Sequence, residues 1–296
     1  MLDQLTAAQT AQFHADGFLI LPKLIEREEA EAVAARFEPL FRGKFETGLY
    51  PDEWNWQEGR DRPDRTRQIC NGWKSDRAVA GLVLRREIGK LCAQLAGWPG
   101  ARVVQDNVIW KPPGAKSLGY HQDNSYADWI DPPAMLTCWI ALDDTSAAGG
   151  TIEYVKGSHL WGRFPPAKQF HAPEDYRKEM AAAAHGIGKE PAIAFVEVPA
   201  GGCAFHHGWC WHGSGANLAD RPRRAAVTHC MSSEAKFHPT ETSYIYNRYK
   251  RVGDTAMDES FFPILWREDG YRSTWIDAYA VIDRLQKGCG KALGST

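Results

Sequence analysis

The first third of the chain carries apolar residues at helical spacing. The stretch "TAAQTAQFHADG" predicts a helix that begins near Thr6 and ends at Gly17, followed by a short apolar strand and a second helical stretch, "EREEAEAVAARFEPLF". Apolar residues at positions 79, 82, 83, 88 and 91 predict another helix from about Ser75 to Leu95. Helices are therefore expected to dominate a first part of about residues 1–100.

From about position 101 the pattern changes to short apolar runs separated by Gly, Pro, Asn and Asp. These runs are "RVVQDNVIWK", "AMLTCWIALDD", "GTIEYVKG", "PAIAFVEV", "GGCAFHHG" and "RAAVTHCMSS". Short strands with turn residues between them and few helices indicate a β sandwich or barrel. We therefore expect a mainly β protein with flanking helices, of the α+β class, whose β core covers about residues 101–232.

Two polar stretches and a tail depart from this pattern. Residues 163–190 form a long polar excursion between strands, and excursions of this length are often lids or binding loops. Residues 43–74 are rich in Trp, Arg, Asp and Gly, and the aromatic-rich tail 233–296 ends in a predicted helix, "WIDAYAVIDRLQKGCGKAL". Because no internal repeat or low-complexity linker divides the chain, we expect one domain over 1–296.

The charge balance gives no general attraction for polyanions. The 296 residues carry a formal net charge of -2 and an isoelectric point near 6.6, and the densest basic stretch is the short "RPRR" at 221–224. We therefore expect no nucleic acid and no membrane surface as a partner. The N-terminus lacks the basic start and long apolar run of a secretion signal, so a soluble protein is expected. Nothing in the sequence predicts an oligomeric state.

Cysteines and tryptophans add two expectations. The seven cysteines include no CxxC pair, which fits neither a disulfide framework nor a cysteine-based zinc site and favours the reducing cytoplasm. Most of the twelve tryptophans are expected to pack in the core. Candidates for the wall of a small-molecule pocket are the aromatic residues of "SYIYNRYKR" and the tryptophans Trp54, Trp56, Trp73 and Trp129.

The stretch "GYHQDNSYADW" at 119–129 places a histidine and an aspartate two positions apart, after a run that is typical of a strand. Because side chains alternate along a strand, His121 and Asp123 are predicted to share one face while Gln122 points away. An imidazole and a carboxylate presented together suit two ligands of one metal ion. This spacing is common by chance, so it needs a third ligand.

A third ligand is expected from a strand distant in sequence. His212 is the best candidate, because it follows an apolar run and precedes a turn at "GSG". Two histidines and a carboxylate are the ligands of non-haem iron(II) oxygenases, but zinc hydrolases use the same set. Arg223, eleven positions later on a strand expected to run back alongside, favours the oxygenase, since an arginine holds the distal carboxylate of 2-oxoglutarate with two hydrogen bonds.

Four blocks occur in order along the chain: "LTAAQTAQFHADGFLILPKLI", "VIWKPPG" before "YHQD", "CWIALDDTSAAGGTIEYVKGSH" and "HGSGANLADRPRRAAVTHCM". Together, over roughly residues 5–232, they resemble the phytanoyl-CoA dioxygenase-like family of Fe(II)/2-oxoglutarate-dependent oxygenases. The chain departs from the family at Lys156, where a proline is usual, and the tail beyond 234 matches nothing in it.

The resemblance implies a double-stranded β-helix, a jelly-roll or cupin-like core whose mouth holds the iron. It implies Fe(II) as the metal, with ligands at His121, Asp123 and His212. It also implies contacts of the 2-oxoglutarate pocket, which are expected at Arg223, Trp139, Asn107 and, from the helical part, Arg67 or Lys74. His206, His207 and His229 are then neighbours of the site and not ligands.

The activity implied by the resemblance is oxidation of a small-molecule metabolite with O2 and 2-oxoglutarate, releasing succinate and CO2. Related halogenases lack the carboxylate ligand, so Asp123 favours hydroxylation over halogenation. Two other functions stay open. One is a zinc-dependent hydrolase on the same two-His-one-Asp set, and the other is a catalytically silent β-barrel that binds a small ligand.

Overall fold

The structure is a computed structural model that describes residue 2 and residues 4–280. The helices are α1 (Ala7–Asp16), α2 (Arg27–Ala34), α3 (Phe37–Phe41), α4 (Arg77–Val83), α5 (Arg86–Ala96), α6 (Lys178–Gly186) and α7 (Trp275–Ala280). The strands are β1 (Phe18–Leu21), β2 (Glu53–Trp54), β3 (Arg67–Cys70), β4 (Gly100–Lys111), β5 (Leu118–His121), β6 (Ile130–Asp131), β7 (Leu136–Ala141), β8 (Ile152–Val155), β9 (Ile193–Phe195), β10 (Cys203–His207), β11 (His212–Ser214), β12 (Arg223–Ser232), β13 (Lys236–Phe237) and β14 (Ile264–Arg267). Short 3-10 helices lie at Gly72–Lys74, Asp123–Tyr126, Ser158–Leu160 and Tyr246–Tyr249.

Two antiparallel sheets form the centre of the described part of the chain. The larger sheet has the strand order β1-β10-β7-β12-β4-β3-β2, and β14 joins it by pairing with β4. The smaller sheet has the order β5-β11-β8-β9, and β13 and β6 form a separate two-stranded ribbon. The predicted mainly β class with flanking helices is confirmed.

The strand β7 shows how the larger sheet is covered on both faces. Its six residues, "LTCWIA", are all buried. Because side chains alternate, Cys138 and Ile140 join the cluster that the N-terminal helices cover, whereas Trp139 and Ala141 pack in the cluster between the two sheets. Because both faces of the strand are buried, its sequence is apolar at nearly every position and not only at every second one. One of the two faces directs its side chains into the space between the sheets.

The first predicted helix is confirmed together with both of its ends. The backbone N–H of Gln9 donates to the Thr6 hydroxyl at 3.2 Å, which caps the first turn of α1. Gly17 ends the helix with φ of 82°, a conformation that glycine adopts without a Cβ clash. The chain turns there and enters β1.

Other predicted helices are interrupted. The stretch 26–41 forms α2 and α3, and the stretch 75–95 forms α4 and α5, because Arg85 adopts an extended conformation between them (φ −69°, ψ 139°). The first hundred residues also supply β1, β2 and β3 to the larger sheet. The excursion 163–190 contains α6. Of the predicted C-terminal helix, only α7 lies within the described residues. No helix in the described part of the chain combines the length and apolar character needed to cross a membrane.

Candidate metal centre and cavity

The two predicted histidine ligands lie on neighbouring strands of the smaller sheet. His121 ends β5, His212 begins β11, and the two residues are register partners across this antiparallel pair. Their ring centroids are 4.1 Å apart. Residues 91 positions apart in sequence are therefore brought together by one strand pairing.

The prediction that Asp123 lies within the same strand as His121 is wrong in detail. β5 ends at His121, and Asp123 begins the 3-10 helix Asp123–Tyr126. Gln122 between them keeps an extended conformation (φ −117°, ψ 127°), so the alternation of side chains continues for one more step. The Gln122 amide points away and donates to the carbonyls of Gly162 and Trp209, at 3.0 and 2.8 Å.

The three side chains converge on one point. The Nε2 atoms of His121 and His212 each lie 3.5 Å from Asp123 Oδ1, and one donor atom from each of the three residues lies within 4.8 Å of the others. The Nδ1 atoms bond to backbone carbonyls, of Gly119 at 3.0 Å and of Cys210 at 2.9 Å. These bonds assign the proton to Nδ1 and leave the Nε2 lone pairs facing Asp123, as ligation of a divalent metal requires.

The other carboxylate oxygen of Asp123 is held by the larger sheet. Oδ2 accepts hydrogen bonds from the Thr137 hydroxyl at 2.7 Å and from His206 Nε2 at 2.9 Å, and His229 Nδ1 lies 3.4 Å away. Burial raises the pKa of Asp123, but the surrounding histidines, first of all His212, hold it well below its usual value. The carboxylate is therefore ionised and rigidly placed, with Oδ1 facing the histidines.

The three other histidines of the region have distinct positions. His206 and His229 lie on β10 and β12 and both flank Thr137, so they contact the carboxylate of Asp123 from behind. His207 points elsewhere, with its ring 5.5 Å from that of His159. Burial, followed by the charge of His212, lowers the pKa of His206 to about 3, so its ring is neutral.

Arg223 lies on the larger sheet and not beside β11 as expected. It begins β12, where it pairs with Lys111 of β4. Its side chain is only 3 % exposed and lines the same cavity as the three converging residues. Nε and Nη2 both donate to the Gly150 carbonyl, at 3.2 and 2.8 Å. Within the described residues no carboxylate pairs with this guanidinium and Nη1 makes no hydrogen bond, so the group fits an incoming carboxylate.

The space between the sheets is a cavity of about 660 Å³. Trp139, Asn107 and Trp129 line it, as expected. Asn107 is connected to the candidate metal centre by His229. Its Nδ2 atom lies 2.9 Å from His229 Nε2, and the other ring nitrogen of His229 lies 3.4 Å from Asp123 Oδ2. The polar excursion and the tail also reach the cavity, through Phe170 and Tyr244 among others.

The two expected cosubstrate cations of the helical part do not reach the cavity. Arg67 lies between two indole rings, 3.8 Å from the centroid of Trp56 and 4.2 Å from that of Trp110. Lys74 forms a buried ion pair with Asp52 at 2.7 Å. Both cations have partners that explain their positions, so we do not include them in the proposed site.

Three of the four candidate pocket tryptophans are packing residues. Trp54 packs edge-on against Phe45 at 5.3 Å, Trp73 stacks on Trp275 at 5.4 Å, and Trp56 covers Arg67. None of these three lines the cavity. A tryptophan next to polar residues in the sequence was therefore a poor predictor of a pocket residue in this protein.

Sequence reasoning missed part of a row of side chains on the inner face of the larger sheet. The row runs across β2, β3, β4, β12 and β7 through the successive register partners Glu53, Cys70, Asn107, Val227 and Trp139. Asn107 and Trp139 were expected at the cavity, whereas Glu53, Cys70 and Val227 were not. The alternation within "RQIC" and "VQDNVI" contains this row. The strand partners that align it are not visible in the sequence.

Comparison with known proteins gives a consistent picture. The family model described as Phytanoyl-CoA dioxygenase (PhyH) matches residues 13–225. Phytanoyl-CoA dioxygenase domain-containing protein 1 of Rattus norvegicus is 31% identical over 137 residues, which are 44% of this chain and 45% of that protein. The matched region thus spans less than half the length of this relative. Ectoine dioxygenase of Nocardia farcinica is 25% identical over 229 residues, which cover 73% of this chain and 74% of the relative.

A solved structure with a similar fold is the epimerase SnoN in complex with Fe3+, alpha ketoglutarate and nogalamycin RO. Its TM-score is 0.64 at 22% identity, and the match covers 88% of this chain and 98% of that one. At this identity the likeness shows the fold, and it confirms the predicted jelly-roll architecture. The three side chains whose donor atoms come together, those of His121, Asp123 and His212, lie within the part of the chain that has this fold.

Proposed function

Because the chain belongs to the phytanoyl-CoA dioxygenase family of non-haem iron and 2-oxoglutarate-dependent oxygenases, we propose that it hydroxylates a C–H bond of a small-molecule metabolite and releases succinate and CO2. Fe(II) is its cofactor, and 2-oxoglutarate and O2 are its cosubstrates. One observation carries the proposal for this chain. Two imidazoles and a carboxylate converge in the same cavity as a buried guanidinium that has no carboxylate partner among the described residues.

The proposed iron ligands are His121 Nε2, Asp123 Oδ1 and His212 Nε2. Two neutral nitrogen donors and one anionic oxygen suit Fe(II) and leave positions open for further ligands. Iron bound there supplies the redox chemistry that couples decarboxylation of 2-oxoglutarate to removal of a hydrogen atom from the substrate. The protein's own contribution is orientation, since each ligand is fixed by a second hydrogen bond on its far side.

Arg223 is the proposed partner of the distal carboxylate of 2-oxoglutarate. The Gly150 carbonyl holds one edge of the guanidinium and directs the remaining N–H groups to the cavity. Trp139 lies beside it, with its ring centroid 5.9 Å from the guanidinium carbon. Burial lowers the pKa of Arg223 to about 10, so the group is still a cation at neutral pH. A buried cation without an anion is costly, and a bound carboxylate removes that cost.

Asp123 supports hydroxylation over halogenation. An anionic oxygen at this place occupies a metal position that chloride would otherwise take. The zinc-hydrolase and silent-barrel alternatives need no buried arginine facing the cavity, and a silent barrel needs no converging ligand set either. A cavity of about 660 Å³ suits a small-molecule substrate. The six described cysteines are all free thiols, which supports a reducing compartment such as the cytoplasm.

The test is formation of succinate from 2-oxoglutarate under air with Fe(II) and ascorbate. We expect the wild type to form succinate and His212→Ala to lose at least about 100-fold in rate, because loss of a ligand costs more than loss of a neighbouring group. Arg223→Gln is expected to raise the KM for 2-oxoglutarate at least about tenfold, since a charge-assisted double hydrogen bond is lost. The exposed Arg221→Gln is the matched control.

The outcomes separate the alternatives. A wild type that forms no succinate, or an Arg223→Gln variant with unchanged KM for 2-oxoglutarate, contradicts the proposed oxygenase site. Hydrolysis of an ester or amide with bound zinc, unaffected by Arg223→Gln, would favour the hydrolase.

A further inference from the structure

Glu53 is a carboxylate in the cavity wall without a cation beside it. It lies half-buried on β2, at the outer end of the row that leads through Cys70 and Asn107 towards the metal centre. Its oxygens accept hydrogen bonds from the Tyr244 hydroxyl at 2.6 Å and the Cys70 thiol at 3.3 Å. No lysine, arginine or histidine of the described residues forms an ion pair with it. The fold thus keeps a negative charge in the substrate cavity and gives it only neutral donors.

Two groups at this end of the cavity, Glu53 and Gln68, have unused hydrogen-bond acceptors. Gln68 and Gln105 each donate their amide NH2 to Asn107 Oδ1, at 3.1 and 3.0 Å. This leaves the Gln68 carbonyl without a donor among the described residues, and a carboxylate has room for more than two donors. An occupant of this end of the cavity is therefore expected to bring hydrogen-bond donors.

The other charged residues of the cavity wall do not offset Glu53. Asp123 and Arg223 belong to the proposed metal and cosubstrate sites. Asp128 is already paired with Arg163 at 2.7 Å. Lys168 lies exposed in the polar excursion, where solvent screens its charge. Among the described residues that line the cavity, Glu53 is thus the half-buried charged side chain that has neither an ion-pair partner nor a role in the proposed metal and cosubstrate sites.

Aromatic rings line the cavity along with this carboxylate. Trp129 and Tyr246 pack together with ring centroids 4.8 Å apart, and Tyr126, Phe170 and Tyr244 also contribute to the wall. The faces of such rings attract organic cations, and a carboxylate adds a full charge to that attraction. A carboxylate, free acceptors and aromatic rings in one cavity are the groups that recognise an alkylated or primary ammonium.

We propose that the substrate carries a protonated amine and that Glu53 is the specificity-determining residue that binds it. This inference rests on the proposed oxygenase function and names the substrate class for that site. The ammonium group lies at the outer end of the cavity, so the neutral carbon skeleton of the substrate extends towards His121, Asp123 and His212, where oxidation takes place. Amine-free carboxylates are disfavoured, because Glu53 would repel their charge.

The experiment measures the Kd of three probes by calorimetry under anaerobic conditions, with Fe(II) and saturating 2-oxoglutarate. The probes are benzylammonium, benzyl alcohol and benzoate, which share a ring and differ in charge. We expect the cation to bind the wild type about five- to tenfold more tightly than benzyl alcohol, with benzoate weakest. Glu53→Gln keeps the shape of the side chain and one of its two acceptor oxygens but removes its charge, and is expected to abolish this preference. The exposed Glu190→Gln keeps it.

The inference is overturned if the cation has no measurable affinity for the wild type, if either other probe binds as tightly, or if Glu53→Gln binds the cation unchanged. A thermal melt shows that each variant is folded. Succinate formation from 2-oxoglutarate by the wild type and Glu190→Gln is measured separately. If succinate forms and the cation preference is absent, the amine inference alone fails. If no succinate forms, the proposed function fails instead.

Discussion

At the scale of single residues, the two oxygens of Asp123 have separate tasks. Oδ1 faces the Nε2 atoms of both histidines at 3.5 Å, whereas Oδ2 is held by Thr137 and His206. The carboxylate therefore connects the smaller sheet, which carries the histidines, to the larger sheet. An asparagine at this position cannot replace both functions, because its amide NH2 would face either the donors Thr137 and His206 or the proposed metal ion.

The substitution Asp123→Gly, assayed with chloride present, tests the ligand role of this residue. We expect succinate formation coupled to hydroxylation to fall at least about 100-fold, because the anionic ligand and its link to Thr137 are both lost. Product analysis by mass spectrometry also checks whether a chlorinated product replaces the hydroxylated one. Asp220→Gly, in an exposed turn, is the control, and unchanged hydroxylation by the Asp123 variant would contradict a ligand role.

At the scale of elements, the polar excursion 163–190 is bound to β5 beside the metal centre. The backbone N–H groups of Gly119 and Tyr120 donate to the carbonyls of Phe170 and Tyr176, both at 2.8 Å. A Cβ on Gly119 would lie 2.8 Å from the Gln169 carbonyl oxygen, so glycine allows this close approach. Phe170 thereby packs edge-on against the ring of His121, at 4.8 Å between centroids.

His171 makes the docking of this excursion sensitive to pH. Burial, followed by the charge of Arg65, lowers the pKa of His171 to about 4, below the unfolded value of about 6.5. Between these values the unfolded chain binds the proton and the folded protein does not, so stability is full above about pH 6.5 and falls as the pH drops towards 4. Allowing for the partial exposure of the ring, we expect a loss of about 1–2 kcal/mol.

Urea unfolding of the wild type and of His171→Gln at pH 7 and pH 5 checks this expectation. The variant should lose less stability on acidification than the wild type, because glutamine does not titrate. His185→Gln, on the exposed side of α6, serves as the control and should behave as the wild type does. Equal acid sensitivity of the wild type and His171→Gln would show that the ring does not carry this effect.

At the scale of the whole molecule, the cavity is assembled from parts that are far apart in the chain. β2 and β3 from the first hundred residues, both sheets of the core, the polar excursion and the segment around Tyr244 all contribute to its wall. The hydroxyl of Tyr246 donates to Gln105, and that of Tyr244 donates to Glu53, so the tail segment is bonded directly to side chains of the larger sheet that line the cavity. Ligands in this cavity are therefore expected to stabilise the fold as a whole.

Metal and cosubstrate binding should raise the melting temperature. Under anaerobic conditions with Fe(II) at about 100 times its Kd, metal binding alone stabilises the native state by about 2.7 kcal/mol. For a chain of 296 residues this corresponds to a rise of about 4 °C. Differential scanning calorimetry with and without a chelator measures it. His212→Ala should show no metal-dependent rise, and an equal rise in that variant would place the metal elsewhere.

The sequence by itself determined the elements with strong local causes. The capping residues of α1, the change from helical to strand pattern near residue 101 and the pairing of His121 with Asp123 on one side of the chain all depend on neighbours within a few positions. The ordered blocks identified the family, because a long combination of motifs is specific where each motif is not. Local chemistry and order were sufficient for these predictions.

Only the tertiary structure decided which side chains face the cavity. Trp54, Trp56, Trp73, Arg67 and Lys74 have the chemistry of pocket residues, but each packs against or pairs with another side chain outside the cavity. Glu53 reaches the cavity because β2 pairs with β3 and β3 pairs with β4. The register between distant strands depends on which face of the whole sheet is buried. The sequence of a single strand does not show which other strand it will pair with.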